Sequence, residues 1–515
     1  MSGADRFDDA QVYLPDLWAS HARWFPDRPC LVLGEQRLNW GKFNRRMNRV
    51  ANGLKAIGLG AGDKVALVMS NSVEMAEAMF GIIKAGCCAV PLSGLLTPVQ
   101  AQTLIRDCDA RALFASRSLR HLVDGLEAAP LAHRFAFGFA APGWQDYSAW
   151  TAMQPEDEPL VSYRMDDEFN IIYSSGTTGI PKGIVQTHRA RQHFAYSNAL
   201  ELRFDCNSVA LTTTSLYSNG TWLMMMPVLF TGGTLVVMET FAPERFLELV
   251  ERERVTHTFM VPTQFILTLA HPDCGRYDTS SLRAMLCAGS PLRLDTKKAV
   301  LERFGPVLYE LYGVSEGLAT MLKPERMGDK FASVGTPVLG FDLRIIGADD
   351  RELPRGEVGE IVGYGAGLMR EYHRKPAETA AAIWRDERGR SYVRTGDIGR
   401  LDEDGFLYIL DRKKDMIISG GLNVFPTDIE RVLGEHPAVL DVTVIGIPHE
   451  IWGESPLALV IPREGAAATQ AEIARWANER LAKHQRLAAV EFRAEFPRNA
   501  LGKVLKRELR SSYWK

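Results

Sequence analysis

The sequence contains few cysteines, and none of them follows a disulfide or metal-binding pattern. Its 515 residues include 7 cysteines, and no two are spaced as Cys-x-x-Cys. This argues against a disulfide framework or a zinc site and indicates a reducing compartment, so we predict a cytoplasmic location. The N-terminal residues also lack the basic start, apolar run and small-residue cleavage site of a secretory signal.

A long apolar run is missing as well. The uncharged stretch 206–238 comes nearest to one, but it contains Asn, Pro, Gly, Ser and Thr residues. A membrane helix of about 20 apolar residues tolerates such a mixture poorly. We therefore expect no integral membrane segment, and we interpret the stretch as buried core near a ligand pocket.

Neither sign of charge is in excess. The chain has 60 Lys and Arg against 63 Asp and Glu, a net charge of −3, so nucleic acid is not an expected partner. Hydrophobic residues make up 46% and charged residues 24%, which is typical of a globular protein and not of a disordered one. At roughly 100–200 residues per domain, the length predicts more than one folding unit. A homodimer is possible, and the composition does not decide between a monomer and a dimer.

The first third of the chain alternates short apolar runs with helical patterns. Residues 31–40 indicate two short strands around a Gly-Glu turn, and apolar residues every three or four positions predict a helix from Gly41 to Ile57. Residues 63–69 indicate a buried strand, and Ser70 or Asn71 is expected to cap the next helix. This alternation predicts an α/β class with layered subdomains and parallel strand pairing.

The pattern changes after about residue 340, where alternating polarity and turn residues indicate a small β-rich subdomain. Beyond a charged break at 411–415 we expect a helix at 426–435, two strands, a helix at 469–483 and a strand at 488–494. We therefore predict a large N-terminal domain (1–411), a hinge (412–416) and a small, mobile α+β domain (417–515).

Residues 171–185 read IIYSSGTTGIPKGIV and combine glycines, hydroxyls and a lysine. Glycines let backbone N–H groups turn around an anion, and the lysine adds a positive charge, so the segment suits a polyphosphate. It is not a Walker A loop, because no lysine follows the second glycine directly. The residues predicted to bind phosphates are Ser174, Ser175, Gly176, Thr177, Thr178, Gly179 and Lys182.

This segment matches the pattern [ST]-[ST]-G-[ST]-T-G-x-P-K-G in full and resembles the phosphate loop of the adenylate-forming superfamily, specifically its acyl-CoA synthetase branch. The resemblance extends from about residue 12 to the C-terminus. It implies a ligase that uses ATP, Mg²⁺ and coenzyme A. A carboxylic acid would first form an acyl-adenylate and pyrophosphate, and a thiol would then form a thioester and release AMP.

Further motifs carry the same resemblance. CAGSPL (287–292) resembles an adenine-binding turn, LYELYGVSEG (308–317) a nucleotide- and metal-binding motif, and YVRTGDIG (392–399) a ribose-binding motif. By resemblance, Glu316 and Thr178 would hold Mg²⁺, and Asp397 would accept hydrogen bonds from the ribose hydroxyls. The other residues expected to bind ATP or AMP are Gly289, Ser290, Pro291, Glu310, Leu311, Tyr312, Gly313, Ser315, Ile409 and Arg412.

The C-terminal motifs concern the change between the two half-reactions. Lys414 resembles the hinge residue of the family, and Ser419, Gly420 and Gly421 would form a strand that lines a pantetheine tunnel. Lys503, in FPRNALGKVLKREL, would orient the carboxylate and the α-phosphate. The resemblance thus assigns Lys503, Glu316 and Thr178 to catalysis.

The acyl pocket is expected to be uncharged. Many acyl-CoA synthetases have an aromatic residue followed by His where this chain has Tyr217 and Ser218, and no Asp between Asp205 and Glu239 is present to hold an α-ammonium group. An amino-acid substrate is thus disfavoured, and a fatty, aryl or alicyclic acid would fit. The three consecutive methionines 224–226 are more often core than pocket. The predicted pocket residues are Tyr217, Ser218, Asn219, Trp222, Val261 and Gln264.

Three alternatives stay open. A non-catalytic family member is disfavoured because Lys503, Glu316 and Asp397 are all present. The thiol acceptor could be the pantetheine arm of a carrier protein instead of free coenzyme A, since both end in the same group. A luciferase-like oxygenase would share the adenylation half-reaction.

Overall fold

The computed structural model describes residues 11–126, 131–173, 181–498 and 504–514. By the density of its internal contacts the chain divides into two compact units. The first comprises Met1–Glu325, Pro337–Phe341 and Gly365–Ala381, and the second comprises Arg326–Thr336, Asp342–Tyr364 and Ala382–Lys515. The boundary expected at 411–415 falls inside the second unit, and the three-part domain division stays a prediction.

Helices occur in both units. In chain order, the α-helices of the described residues are α1 Leu14–Trp24, α2 Trp40–Ala56, α3 Val73–Lys84, α4 Pro98–Asp107, α5 Tyr147–Ala152, α6 His188–Glu201, α7 Trp222–Thr231, α8 Pro243–Arg252, α9 Pro262–Ala270, α10 Leu294–Phe304, α11 Pro376–Ala381, α12 Pro426–Gly434, α13 Gln470–Asn478 and α14 Lys506–Arg510. Short 3₁₀ helices cover Arg117–Leu122, Pro324–Arg326 and Lys483–Gln485.

Strands alternate with these helices. In chain order they are β1 Pro29–Leu33, β2 Gln36–Asn39, β3 Lys64–Val68, β4 Cys88–Pro91, β5 Ala110–Ser116, β6 His133–Phe137, β7 Gln145–Asp146, β8 Glu168–Tyr173, β9 Gly183–Thr187, β10 Val209–Thr212, β11 Thr234–Val237, β12 His257–Met260, β13 Ala284–Cys287, β14 Leu308–Gly313, β15 Ala319–Leu322, β16 Thr336–Pro337, β17 Phe341–Ile346, β18 Gly359–Gly365, β19 Glu371–Tyr372, β20 Ile383–Arg385, β21 Ser391–Leu401, β22 Leu407–Arg412, β23 Ile417–Ser419, β24 Leu422–Val424, β25 Val439–His449, β26 Gly453–Pro462 and β27 Ala489–Phe492.

Two large sheets dominate the first unit. Among the described residues, one sheet has nine strands in the order β16-β15-β14-β13-β12-β10-β11-β1-β2, and the other has eight in the order β19-β9-β8-β4-β3-β5-β6-β7. The central strands of both sheets pair in parallel, whereas β2, β9, β15 and β19 pair antiparallel at or near the edges. The predicted α/β class with parallel pairing is confirmed.

The elements expected near the N-terminus are present with one correction. The hairpin β1–β2 and helix α2 form as the periodicity indicates, and Asn39 caps α2 by accepting from the backbone of Lys42. Helix α3, however, is capped by Ser72, not by Ser70 or Asn71. The Asn71 side chain instead donates to the carbonyl of Met238 (2.7 Å) and accepts from the backbone N–H of Leu216 (2.9 Å). A tertiary contact therefore competes successfully with the local cap.

The uncharged stretch 206–238 is core, as expected. It forms β10, α7 and β11, and Trp222 and the three methionines that follow the helix start are fully buried. Cys287 is also fully buried, and all seven cysteines are free. In the described ranges, no helix combines the length and the apolarity that crossing a bilayer requires.

The second unit contains two five-stranded sheets among its described residues. One has the order β17-β18-β21-β20 with β22 paired to β21, and the other has the order β24-β23-β26-β25 with β27 paired to β26. Helices α12 and α13 contribute Ile429, Leu433, Ile473 and Ala477 to one apolar cluster with the latter sheet. Helix α13 ends at Asn478, earlier than the expected residue 483.

Candidate active site

The carboxyl ends of four neighbouring strands define one edge of the nine-stranded sheet. Strands β10, β12, β13 and β14 run in parallel, with Thr212 beside Phe259, Met260 beside Cys287, and Cys287 beside Glu310. The segments that follow these strands therefore emerge on the same side. They contain the predicted acyl-pocket, adenine-turn and Glu316 residues, and ligands of open α/β sheets bind outside such strand ends.

The predicted adenine turn is anchored by a buried ion pair. Gly289 has φ = +95°, a conformation that favours glycine, and the backbone N–H of Leu292 donates to Glu310 (3.4 Å). The Glu310 carboxylate also pairs with the ammonium group of Lys297, and both side chains are buried. Burial raises the pKa of Glu310 and the lysine opposes this shift. In this structure Glu310 thus connects the turn, α10 and β14.

The phosphate-loop prediction is only partly covered by the described residues. Ser174, Ser175, Gly176, Thr177, Thr178 and Gly179 lie outside them, so their assignments stay predictions. The loop joins the antiparallel strands β8 and β9, and β9 is also paired with β19. The backbone N–H of His373 donates to the carbonyl of Gly183 (2.7 Å). The C-terminal side of the loop is therefore held between two strands.

Lys182 and Glu316 contact the same tyrosine, which the sequence did not indicate. The Lys182 ammonium lies 4.5 Å from the centroid of the Tyr372 ring, and the Tyr372 hydroxyl donates to Glu316 Oε1 (2.7 Å). The amide of Gln186 donates to the carbonyl of Ser315 (3.0 Å). These contacts bring the phosphate-loop lysine and the predicted metal ligand to one tyrosine, with the lysine over the ring and the glutamate at the hydroxyl.

Removal of the Tyr372 hydroxyl should weaken this arrangement. Burial and the nearby carboxylate raise the pKa of Tyr372, so the hydroxyl remains a donor at neutral pH. Because a hydrogen bond to a charged group is worth about 1.5–3 kcal/mol, Tyr372→Phe should lower kcat roughly tenfold or more and raise the Mg²⁺ concentration needed for half-maximal rate. Steady-state rates over a Mg²⁺ series measure both quantities.

A second substitution separates the two contacts of this tyrosine. Tyr372→Leu removes the ring as well, and with it the contact to Lys182, so the KM for ATP should rise more than in Tyr372→Phe. An unchanged Mg²⁺ dependence in Tyr372→Phe would contradict the positioning role.

Several of the predicted acyl-pocket residues use their polar groups within the protein. Gln264 donates to the carbonyl of Thr213 (3.0 Å) and accepts from the backbone N–H of Val261 (3.1 Å), where α9 begins. Its polar atoms are thus used within the protein. Tyr217 is partly buried, and its hydroxyl bonds with those of Ser93 and Ser215 while burial raises its pKa. Ser218 is 9% exposed.

Asn219 and Trp222 contact a residue that the sequence did not single out, Arg191 of α6. Arg191 Nη2 donates to Asn219 Oδ1 (2.9 Å), and its Cζ lies 4.7 Å from the Trp222 ring centroid. Arg191 Nε donates to Asn170 Oδ1 of β8 (2.8 Å). The sequence HRARQHF that surrounds Arg191 reads as a polar helix face, so no local signal marks it as buried.

In the second unit, the predicted ribose-binding residues lie together. Asp397 of β21 and Arg412 of β22 are cross-strand neighbours, and their side chains form an ion pair of 3.2 Å. The backbone N–H of Asp397 donates to the Thr395 hydroxyl (3.1 Å). Ile409 lies on the same strand as Arg412, opposite Gly399. The carboxylate that is expected to bind the ribose is therefore held by its own β-ribbon.

The predicted pantetheine-tunnel strand is a hairpin turn instead. Ser419 ends β23 and pairs with Leu422 of β24, while Gly420 and Gly421 are the two turn residues, with φ of +58° and +79°. Two consecutive positive φ values are typical of the tight turns that match the twist of antiparallel strands. The backbone N–H of Gly420 donates to the carbonyl of Trp452 (2.8 Å). The expectation of a strand is therefore confirmed for Ser419 and wrong for Gly420 and Gly421, while the role of the three residues in a pantetheine tunnel stays a prediction.

Lys414, the predicted hinge residue, lies between β22 and β23. Its carbonyl accepts from Arg510 Nη1 (3.1 Å), and burial lowers the pKa of its ammonium group. Lys503 lies outside the described residues, so its catalytic role stays a prediction.

A buried carboxylic acid close to the hinge predicts a pH effect on stability. Asp411 is 6% exposed and accepts from the backbone N–H of Thr427 (3.2 Å); burial raises its pKa from 3.8 to about 6, opposed by Lys506. Folding then takes up a proton between about pH 4 and pH 6, so this group's contribution to stability falls as pH rises through that window.

Asp411→Asn should remove this dependence. Relative to the unsubstituted protein, its unfolding free energy should increase by up to about 3 kcal/mol between pH 3.5 and pH 7. An asparagine has one acceptor oxygen fewer than an aspartate. The loss of a hydrogen bond to that oxygen changes the unfolding free energy by the same amount at every pH. Urea unfolding at a series of pH values measures the difference, and two parallel stability curves would exclude Asp411 as the titrating group.

Comparison with known proteins identifies the family of the chain. The chain matches the family model of AMP-binding enzymes over residues 18–373 and that of the AMP-binding enzyme C-terminal domain over residues 428–503. A feruloyl-CoA synthase from Amycolatopsis sp is 32% identical over 495 residues, 96% of this chain and 97% of that protein. The fatty acid–acyl-carrier-protein ligase ScoC from Streptomyces coeruleorubidus is 32% identical over 529 residues, 99% and 98% of the two chains.

A solved structure agrees as well. ATP-bound MatB from Rhodopseudomonas palustris superposes with a TM-score of 0.88 at 28% identity, covering 98% of this chain and 99% of MatB. The chain therefore belongs to the AMP-binding, adenylate-forming enzyme family, in its acyl-CoA synthetase branch. The expected resemblance, the ligase class and the use of ATP are thereby confirmed.

Proposed function

We propose that this enzyme converts a carboxylic acid, ATP and coenzyme A to an acyl-CoA thioester, AMP and pyrophosphate through an acyl-adenylate. The observation that carries the proposal is the contact of Lys182 and Glu316 with Tyr372. This contact supports the proposal because an ammonium group suited to phosphates and a carboxylate suited to a divalent cation share one neighbour. The family match to AMP-binding enzymes supports the same reaction.

The donor set fits Mg²⁺. Mg²⁺ prefers oxygen ligands and is usually held by one or two carboxylates together with substrate phosphates, so a lone Glu316 is sufficient from the described residues. In the described ranges no group of three or more His, Cys, Asp or Glu side chains could form a closed metal site. Bound there with Thr178, the cation would neutralise charge on the phosphates.

Each assigned residue has one task in the first half-reaction. Residues 174–179 and Lys182 would bind the phosphates and offset the negative charge that builds on pyrophosphate as it leaves. Asp397 and Arg412 would bind the ribose, and the turn at Gly289 would hold the adenine. Lys503 would orient the substrate carboxylate toward the α-phosphate.

The second half-reaction requires the adenylation lysine to leave, because the thiol attacks the acyl carbon that Lys503 previously oriented. We propose that residues 412–416 act as the hinge for this exchange and that the turn Gly420–Gly421 approaches the pantetheine arm. No cysteine of the enzyme takes part, since the mixed anhydride is itself reactive toward a thiol.

The acceptor thiol distinguishes this proposal from a second one. The similarity to the ligase ScoC, which is named for an acyl-carrier-protein acceptor, favours a carrier-protein pantetheine as the alternative. The similarity to feruloyl-CoA synthase favours free coenzyme A.

A panel of fatty, aryl and alicyclic acids tests the proposal. We expect pyrophosphate exchange into ATP that depends on the acid, and AMP formation with a thioester product when coenzyme A is added. Product formation only with a phosphopantetheinylated carrier protein would select the alternative. No exchange with any acid of the panel would contradict both.

A further inference from the structure

The feature with the least explanation so far is the burial of Arg191 beside two predicted acyl-pocket residues. Arg191 is only 2% exposed, and its guanidinium group contacts the amide oxygens of Asn170 and Asn219 and the face of Trp222. Arg191 thus directly contacts two of the residues that are predicted to line the acyl pocket.

Within the described ranges, no carboxylate pairs with this guanidinium group. None of the ion pairs formed by the described residues includes Arg191. Burial lowers its pKa to about 9, so the group is still charged at neutral pH. Amide oxygens and an aromatic face compensate a buried charge only in part, and unpaired buried charges are rare because they are costly.

The side-chain amide of Asn170, which contacts Arg191, has a donor without an acceptor among the described residues. Asn170 is fully buried, and its Nδ2 has no hydrogen-bond partner among the described residues. Its orientation is not ambiguous, because Oδ1 accepts from Arg191 Nε and so must be the oxygen. Among the described residues, the guanidinium group of Arg191 therefore lacks an anion and the neighbouring Nδ2 of Asn170 lacks an acceptor. One oxygen acceptor would satisfy both.

We propose that Arg191 and Asn170 bind a second oxygen-bearing group of the substrate, most favourably a carboxylate, apart from the carboxylate that is adenylated. This rests on the proposed ligase function and narrows its substrate class. The acid would have an apolar body, because the predicted pocket residues are uncharged, and a polar group at a distance from the reacting end. Arg191 is then a specificity-determining residue.

Matched acids test this inference. Each pair differs by replacement of a methyl group by a carboxylate: the straight-chain acids from butanoic to octanoic with the diacids of equal carbon number, and para-methylcinnamic with para-carboxycinnamic acid. For at least one pair we expect kcat/KM to favour the diacid about tenfold or more, since a hydrogen bond between charged groups is worth at least that factor. Arg191→Met should reverse the preference, mainly through the KM for the acid.

Two controls separate binding from folding. Arg189→Met removes an exposed arginine two positions earlier, whose partner is Asp166 at the surface, and should leave the preference unchanged. In urea, Arg191→Met should be at least as stable as the unsubstituted protein, because a buried charge kept for a ligand lowers the stability of the free enzyme. If Arg191→Met does not fold, Arg191→Gln, which keeps a donor for Asn170 without the charge, decides the same comparison.

The inference is overturned if monoacids are preferred in every pair, or if Arg191→Met lowers kcat/KM equally for both members of a pair and destabilises the protein. Either result would make Arg191 a structural residue while leaving the ligase function intact. Failure of the ligase function itself would be evident separately, as an absence of acid-dependent pyrophosphate exchange with all of these acids.

Discussion

Replacement of Lys503 by alanine should block formation of the acyl-adenylate and spare the second half-reaction. The lysine is assigned to the step in which carboxylate and α-phosphate, both negatively charged, must approach each other. Loss of one positioned electrostatic group of this kind costs about two to three orders of magnitude in rate. Acid-dependent pyrophosphate exchange should fall by that factor, whereas a chemically prepared acyl-adenylate should still give the thioester with coenzyme A.

A matched lysine controls for the charge of the C-terminal region. Lys483 lies in an exposed 3₁₀ turn 20 residues before Lys503, so Lys483→Ala makes the same change of charge away from the motif. It should retain both half-reactions. If Lys503→Ala slowed both half-reactions equally, the lysine would not be specific to adenylation and its assignment would be wrong.

The parts of the fold that the sequence predicted are those that local periodicity determines. Helix α2, the hairpin β1–β2 and the buried strand β3 follow directly from the spacing of apolar residues. The errors occur where several local solutions compete. Three successive residues from Ser70 to Ser72 can each cap a helix, and only the contact of Asn71 with Leu216 and Met238 decides among them.

The hairpin at 420–421 shows the same limit in another form. A glycine pair permits both an extended strand and a turn with positive φ, and the pairing of Ser419 with Leu422 selects the turn. The motif alone predicted a strand that lines a pantetheine tunnel, but it did not determine the conformation of the glycine pair.

The candidate site was predictable where its residues lie in continuous motifs. The register of β10, β12, β13 and β14 brings the motifs after them to one edge, as parallel strands require. Tyr372 and Arg191 were missed because their roles depend on partners far away in sequence: Tyr372 is 56 residues from Glu316, and Arg191 is 28 residues from Asn219. Neither has a local pattern that distinguishes it from a core tyrosine or a surface arginine.

Replacement of Lys414 by proline should separate the two half-reactions in the opposite sense. The residue lies between β22 and β23, where the backbone N–H of Lys413 donates to Gly396 (2.9 Å) and that of Asp415 to Arg412 (2.9 Å). These bonds hold the segment in the arrangement of this structure. Proline fixes φ near −65° and restricts the preceding residue, so the backbone rotation assigned to the hinge is lost.

Acid-dependent pyrophosphate exchange should therefore persist in Lys414→Pro, while thioester formation falls by about a hundredfold, because reacting groups that are misplaced by even 1 Å lose that much rate. Lys414→Ala, which changes the side chain and keeps the backbone rotation, should retain both steps and separates a hinge from a side-chain contact. Urea unfolding of both variants controls for stability. If a folded Lys414→Pro enzyme kept the original rate of coupled turnover, the hinge would lie at another residue, because a fixed φ prevents the backbone from rotating at residue 414 in each catalytic cycle.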